Sequence, residues 1–178
     1  MYKRQAHLLA VAPNASSSII CGGTSPSIEP NRANVYTHKT LTGSFKVRNK
    51  YLEKLLVELV PSENKREEVW KDIAAHEGSV QHLDILDDDQ KEIFKTAPEI
   101  NQIWIIEHAH QRQKYICQSQ SVNLFFKPPS IEADQETHDT FLQYLNDVHW
   151  AGMHKLKSLY YLRSDSARNT ENVNIKIP

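Results

Sequence analysis

A strand, a long helix and a second strand succeed one another near the C-terminus, and this succession constrains the fold more than any other feature. The β-prone run Val122–Phe126 is closed by Pro128-Pro129, and an amphipathic helix is predicted from about Asp134 to Leu156. A second β-prone run follows at Leu159–Leu162. A strand–helix–strand crossover places its two strands in parallel and is right-handed. We therefore expect an α/β fold.

Two adjacent tyrosines, Tyr160 and Tyr161, occupy the middle of the last β-prone run. The unbroken bulk of Leu159–Leu162 is typical of a strand that is covered on both faces. The pair can serve either as dense core filling or as a redox pair, and the run taken alone favours core filling. Because adjacent strand residues point to opposite faces, contact between the two rings would need a twist or a bulge.

The N-terminal segment Ala6–Ala12 predicts a short buried strand that ends at Pro13. Asn14 and the serines after it are favoured at helix N-termini, where backbone N–H groups can converge on an anion. No Lys or Arg occurs between Gln5 and Asn31, so a phosphate held here would depend on N–H groups and hydroxyls. A plain capped turn without a ligand explains the same spacing.

The middle of the chain predicts a short β-excursion near residues 34–47 and then four helices. The fourth of these helices is expected to bury Ile100, Ile103 and Trp104. The four helices are predicted at about Lys50–Val60, from Ser62 to the break at Gly78, at Gln90–Lys95 and from Pro98 to about Arg112.

No metal site is predicted from the sequence. The three acids Asp87–Asp89 open a helix and complement its dipole, which favours a solvated helix start over a set of metal ligands. His108 and His110 lie two residues apart and face different sides of one helix, so they are expected to be exposed or capping histidines.

Composition excludes several functional classes. The 178 residues carry a formal net charge of −1, so no global positive field would attract a nucleic acid. No apolar run approaches the roughly 20 residues that cross a bilayer. The two cysteines, Cys21 and Cys117, form no CxxC pair, which indicates a reducing cytoplasmic setting (the host cytoplasm if a phage encodes the chain). We expect no nucleic-acid or membrane partner.

Several segments, taken in order, resemble the large catalytic subunit of class I ribonucleotide reductase. Leu8–Ser18 looks like the phosphate-binding strand and turn of that family, and Leu156–Arg163 looks like its radical-transfer strand. The likeness runs from about Leu8 to Ala167. Further segments that recur in the family in this order are Ser27–Pro30, Asn34–Lys39, Gly43–Phe45, Gly78–Gln81 and Gln118–Leu124.

The resemblance implies that residues 1–163 form the C-terminal part of a ten-stranded α/β barrel and that residues 164–178 form a flexible polar tail. The family reduces ribonucleotides, mainly as diphosphates, to deoxyribonucleotides by radical chemistry. Tyr161 would be the outer relay of the radical and Tyr160 the inner one. No cofactor is expected in this chain, because a small subunit supplies the metal-radical cofactor. The substrate phosphates would be lined by Pro13, Asn14, Ala15, Ser16 and Ser17.

Several parts of the family's machinery have no counterpart in this sequence. The catalytic and reducing cysteines of the family lie outside the matching segment, and Cys21 and Cys117 fall at positions without a catalytic role. The chain is therefore expected to be inactive alone, as one half of a split subunit or a truncated one. Its partners would be the N-terminal portion of the large subunit, the small radical-generating subunit and a ribonucleoside diphosphate.

Two other interpretations remain open. The chain can be a non-catalytic nucleotide-phosphate or protein-binding module derived from the barrel, or an α/β domain with a chance tyrosine pair. An uncovered barrel strand at Ala6–Ala12 would also predict poor solubility or self-association when the chain is alone.

Overall fold

The computed structural model describes residues 7–22, 25, 28–40 and 43–164. The chain divides into a crossover unit, Met1–Glu29 with Asn101–Pro178, and a hairpin unit, Pro30–Ile100. The elements in chain order are α1 (Ala15–Ile20), β1 (Val35–Thr40), β2 (Gly43–Arg48), α2 (Lys50–Leu59), α3 (Glu63–Ala75), α4 (Asp88–Ile93), a 3-10 turn (Ala97–Glu99), α5 (Gln102–Gln113), β3 (Leu124–Phe126), α6 (Gln135–Lys155) and β4 (Leu162–Ser164).

The described residues contain two sheets of two strands each and no closed barrel. Their helices are all too short or too polar to span a bilayer. The predicted flexible tail, apart from Ser164 at the end of β4, lies outside the described residues.

The hairpin unit is built from the antiparallel pair β1–β2 and two helices. The register of the pair runs from Val35 opposite Arg48 to Thr40 opposite Gly43. Arg48 donates two hydrogen bonds of 2.7 Å to the carboxylate of Glu67, which fixes β2 to α3. The core of this unit is formed by buried side chains from the strands, the helices and the loop after α3, among them Val35, Leu52, Leu56, Trp70, Ile73 and Val80.

Helix starts follow the capping residues that the sequence predicts. The Asn49 side chain accepts from the Tyr51 amide at 3.0 Å and opens α2. Asp87 opens α4 in a capping box with Gln90, which confirms a helix start at the three acids. The fourth predicted helix is wrong at its beginning, because Pro98 lies in a separate 3-10 turn and Asn101 caps a new helix.

The later start of α5 changes which of its residues are buried. Trp104 is 62% exposed, so its predicted place in the core is wrong. The buried positions are instead Gln102, Ile105, Ile106 and Ala109. Gln102 is a polar core residue whose Oε1 accepts from the Phe125 amide at 2.9 Å, and this bond attaches α5 to β3.

The crossover unit confirms the predicted strand–helix–strand order. β3 and β4 are parallel, with Leu124 opposite Leu162, and α6 connects them. All three residues of β3 are buried, and the core below them includes Ile106, Val148 and Leu156. The second strand begins at Leu162, later than the predicted Leu159.

The predicted buried strand at Ala6–Ala12 is wrong in the part that the structure describes. Leu8 is 70% exposed and Leu9 is 58% exposed. The segment makes one isolated parallel bridge, from Val11 to Gln120. Its described backbone hydrogen bonds all join it to residues 118–121. Neither segment is part of the two sheets that the described residues form.

Gly78 is the glycine that the hairpin unit can least replace. Its φ is +86°, and an added Cβ would lie 2.5 Å from the Ala33 Cβ. The Gly78 carbonyl also accepts from the Asn34 amide at 3.1 Å, so the two segments cannot separate without breaking that bond.

We expect Gly78→Ala to lower the free energy of unfolding by about 3 kcal/mol, since backbone strain and steric overlap add. Gly43→Ala is the matched control, because its φ is +154° but no atom lies within 4 Å of an added Cβ. That control should cost about 1 kcal/mol from strain alone. Denaturant unfolding of both variants measures the difference, and equal losses would show that the contact with Ala33 does not matter.

Candidate functional site

The two tyrosines lie side by side because the strand that carries them contains one extra residue. In a regular parallel ladder, one residue uses both of its backbone groups on the facing strand. The residue whose amide donates to the Val122 carbonyl would therefore also accept the Leu124 amide at its own carbonyl. Here the Tyr160 amide donates to the Val122 carbonyl at 3.0 Å. The Leu124 amide, however, donates to the Tyr161 carbonyl at 2.9 Å. Tyr160 and Tyr161 therefore both lie opposite Asn123, which is the arrangement of a β-bulge.

The side chain of Asn123 satisfies the extra amide that the bulge creates. Asn123 is buried, and its Oδ1 accepts from the Tyr161 amide at 3.2 Å. Its Nδ2 donates to Glu29 Oε1 at 3.0 Å, which fixes the orientation of the side-chain amide. A buried amide without a partner would cost about 1–3 kcal/mol, so this contact stabilises the bulge.

The bulge brings the two phenol rings into contact. Their centroids are 4.1 Å apart and their planes meet at 49°. Tyr160 is 48% exposed and Tyr161 is 53% exposed. The expected strand covered on both faces is therefore wrong here, because the three residues of β4 are exposed as well. The expectation that ring contact needs a twist or a bulge is confirmed.

Contact between the rings raises the pKa of Tyr160. The largest cause is a hydrogen bond with the Tyr161 side chain, which stabilises the neutral phenol, and charge repulsion between the two phenolates adds to it. The Arg163 guanidinium, 5.3 Å from the centre of the Tyr161 ring, acts in the opposite direction on the pKa of Tyr160. Rings in this contact allow a ring that has been oxidised to a phenoxyl radical to take an electron and a proton together from the neighbouring phenol.

The predicted phosphate turn is a hydrogen-bonded entry into α1. The Ser18 amide donates to the Asn14 carbonyl at 2.9 Å, and Asn14 Nδ2 donates to the Ala12 carbonyl at 3.2 Å. The Ser17 hydroxyl lies 3.5 Å from the same Asn14 carbonyl. Of the residues predicted to line a phosphate, the side chains of Pro13, Asn14 and Ser17 are described and exposed, and those of Ala15 and Ser16 lie outside the description.

An open pocket of about 550 Å³ lies beside this turn. Pro13 lines it together with Cys117 and Lys157, and the Lys157 ammonium group donates to the Cys117 carbonyl. Lys157 therefore supplies a positive charge that the residues around the turn lack. No local sequence pattern marks this residue, because it lies far from the turn along the chain. Neither tyrosine is among the described residues that line the pocket.

Cys117 attaches the N-terminal segment to the rest of the crossover unit. Its Sγ accepts from the Leu9 amide at 3.1 Å and from the Leu8 amide at 2.9 Å. Both bonds favour the thiolate and therefore lower the pKa of Cys117, and the bond with the Leu9 amide has the larger effect. Both Cys117 and the exposed Cys21 are free thiols.

Comparisons with known proteins decide the family. The profile of the family described as "Ribonucleotide reductase, barrel domain" matches residues 3–162. The chain belongs to this ribonucleotide reductase family. The ribonucleoside-diphosphate reductase large subunit of Invertebrate iridescent virus 3 is 47% identical over 172 residues, which are 96% of this chain and 26% of that protein. The corresponding subunit of Caenorhabditis elegans is 35% identical over 173 residues, which are 93% of this chain and 19% of that protein.

A solved structure supports the same assignment. The Actinobacillus ureae class Id ribonucleotide reductase alpha subunit matches with a TM-score of 0.64 and 42% identity. The match covers 87% of this chain and 26% of that chain. This member of the ribonucleotide reductase family thus spans between a fifth and a quarter of the length of these relatives, 19–26%. The resemblance seen in the sequence is confirmed, and the small sheets of the described residues belong to a portion of the barrel domain.

Replacing Tyr161 tests whether the ring contact persists in solution. We expect Tyr161→Phe to lower the pKa of Tyr160 toward its ordinary value, since the hydrogen bond and the neighbouring charge are both removed. In the parent chain, the raised pKa stabilises the fold fully below the ordinary tyrosine pKa, and this stabilisation is lost as the pH rises through the raised pKa.

Ring-labelled tyrosine NMR would follow the titration of Tyr160 in this variant. Tyr115→Phe is the matched control, because Tyr115 is an exposed tyrosine outside the pair, and it should leave the titration of Tyr160 unchanged. An unaltered Tyr160 titration in Tyr161→Phe would contradict the contact.

Proposed function

We propose that this chain is the C-terminal component of a ribonucleoside-diphosphate reductase large subunit. In this role it forms the C-terminal part of a ten-stranded α/β barrel and contributes a radical-transfer pair and a substrate-phosphate turn. The observation that carries the proposal is the contact of the Tyr160 and Tyr161 rings at 4.1 Å in a member of this family.

In the proposed reaction, Tyr161 receives the radical and Tyr160 passes it inward. A free tyrosine has a pKa near 10, so an unperturbed phenol is neutral at about pH 7. Loss of an electron makes a phenol strongly acidic, and the electron must therefore leave together with a proton. Direct contact between the two rings, whose centroids are 4.1 Å apart, supports such a coupled transfer.

The proposal requires partners that supply the remaining chemistry. The radical originates in a metal-containing small subunit, and the catalytic cysteines belong to the N-terminal portion of the large subunit. The apolar side chains of Leu8, Leu9 and Trp104 are more than half exposed, which is consistent with a surface that another polypeptide covers.

The substrate of the assembled protein would be a ribonucleoside diphosphate whose phosphates bind at the α1 turn. Pro13, Asn14, Ala15, Ser16 and Ser17 would line these phosphates, as the family resemblance implies. We add Lys157 to this set, because its ammonium group shares a pocket with Pro13 and can neutralise part of the phosphate charge.

Reconstitution with the two partner polypeptides tests the radical-transfer role. The chain alone should form no deoxyribonucleotide, and the complete assembly should be active. Tyr160→Phe should abolish this activity, since phenylalanine has no phenolic proton to lose, while binding of the diphosphate should stay unchanged. Tyr115→Phe is the control and should retain activity.

Two results would contradict the proposal. Activity of the chain alone would show that no N-terminal portion is needed. Full activity of the assembly with Tyr160→Phe would favour a non-catalytic nucleotide-phosphate or protein-binding module derived from the barrel.

The contribution of Lys157 can be measured separately from radical transfer. We expect Lys157→Ala to raise the KM for the diphosphate roughly 10- to 150-fold, which corresponds to the loss of one charged hydrogen bond of roughly 1.5–3 kcal/mol. Lys114→Ala is the control, because Lys114 is an exposed lysine at the end of α5 that does not line the pocket. Equal KM values for both variants would exclude Lys157 from the phosphate site.

A further inference from the structure

Three metal-binding side chains converge at the end of α3, in the hairpin unit. Asp72 lies in the last turns of α3, His76 is the residue that caps its C-terminus, and His82 follows in the next loop. His76 Nδ1 lies 3.2 Å from one Asp72 carboxylate oxygen, and His82 Nε2 lies 2.9 Å from the other. One ligand atom from each residue lies within 4.8 Å of the other two. We propose that these residues bind a divalent transition-metal ion such as Zn²⁺.

Local structure holds the first two ligands in place. Asp72 and His76 are four residues apart, so they lie on the same face of the helix. The helix then ends sharply, because the Gly78 amide donates to the Ile73 carbonyl at 2.8 Å and the Ser79 amide donates to the His76 carbonyl at 3.0 Å.

The third ligand is held by the loop that follows. His82 stands between Val80 and Leu83, which are both buried in the core of the hairpin unit. The Leu83 amide donates to the Val80 carbonyl at 3.1 Å and closes a turn around His82. The packing of its neighbours fixes the backbone at His82, and the contact with Asp72 at 2.9 Å holds the side chain, so less conformational entropy would be lost on binding an ion.

The two nitrogen–oxygen separations, 3.2 Å for His76 and 2.9 Å for His82, are of the size that a small metal ion requires between its ligand atoms. Zinc binds imidazole nitrogen and carboxylate oxygen at about 2.0–2.2 Å in a tetrahedral arrangement, so its ligand atoms lie roughly 3–3.5 Å from one another. The two imidazole rings are stacked, with centroids 3.7 Å apart and planes at 26°. Without metal, the Asp72 carboxylate contacts both rings, and His76 Nδ1 also lies 2.9 Å from the Asp72 backbone carbonyl. A metal ion would take the place of the protons in these contacts.

The chemistry of the ligands selects the kind of ion. Two imidazoles and one carboxylate favour zinc, cobalt, nickel or copper, whereas magnesium and calcium prefer oxygen ligands alone. The Asp72 and His76 side chains are about half exposed, which leaves a coordination position open to water. Since the site joins α3 to the loop after it, binding should raise the thermal stability of the chain.

Metal titration of the full chain, prepared without a polyhistidine tag, tests the proposal. Calorimetry with Zn²⁺ should show one site, and the unfolding temperature should rise with Zn²⁺ but not with Mg²⁺. His82→Ala should weaken the Zn²⁺ affinity at least about 10–100-fold. Changing a residue that only hydrogen-bonds to a metal ligand already costs that much, and removal of the ligand itself should cost no less. His82→Gln removes the imidazole but keeps a hydrogen-bond donor toward Asp72, so the variant should still fold. Weak Zn²⁺ binding by this folded variant would show that the imidazole itself binds the ion.

His108→Ala is the matched control, because His108 is an exposed histidine on α5 outside the cluster, and it should bind Zn²⁺ as the parent does. Absence of Zn²⁺ binding would overturn the proposal and leave Asp72 as the acceptor of two histidine hydrogen bonds. Equal Zn²⁺ affinity of the parent, His82→Ala and His82→Gln would overturn it as well.

Discussion

The hydrogen bond from the Tyr161 amide to the Asn123 side chain is the contact on which the tyrosine pair depends. A strand normally sends adjacent side chains to opposite faces, and two tyrosines in sequence would then be separated. The extra residue opposite Asn123 removes that alternation, and the Asn123 Oδ1 accepts the amide that would otherwise lack a partner. Glu29 holds the other end of the same side chain. A single buried amide group thus connects Glu29, the start of β3 and the tyrosines, all within the crossover unit.

Two further contacts within the crossover unit fix the chain just before the bulge. The Lys155 carbonyl, at the end of α6, lies 3.0 Å from His110 Nδ1 of α5. Because Gly152 has no Cβ, the segment after α6 can pack directly against that helix. An added Cβ at this position would lie 2.8 Å from Leu159 Cδ1. Leu159 is therefore anchored on the helix immediately before the bulge. The open face that remains carries the two phenols, half exposed, as a transfer between polypeptides would require.

Sequence patterns predicted the local features of this chain well and the long-range ones poorly. Asn49 and Asp87 mark helix starts because capping is decided by residues within one turn. Trp104 was misplaced because burial depends on where α5 begins, and Asn101 caps it later than the proline suggested. The exposure of the tyrosines depends on which strands surround β4. The pocket contribution of Lys157 depends on a contact between distant segments, for which the sequence carries no local signal.

The central claim is that a radical resides on the tyrosine pair during turnover. The most direct measurement is electron paramagnetic resonance of the reconstituted assembly with an amino-substituted, more easily oxidised tyrosine at position 160. The account predicts that addition of a ribonucleoside diphosphate produces a radical on that residue while the radical of the small subunit declines. Persistence of the small-subunit radical, with no signal from position 160, would contradict it.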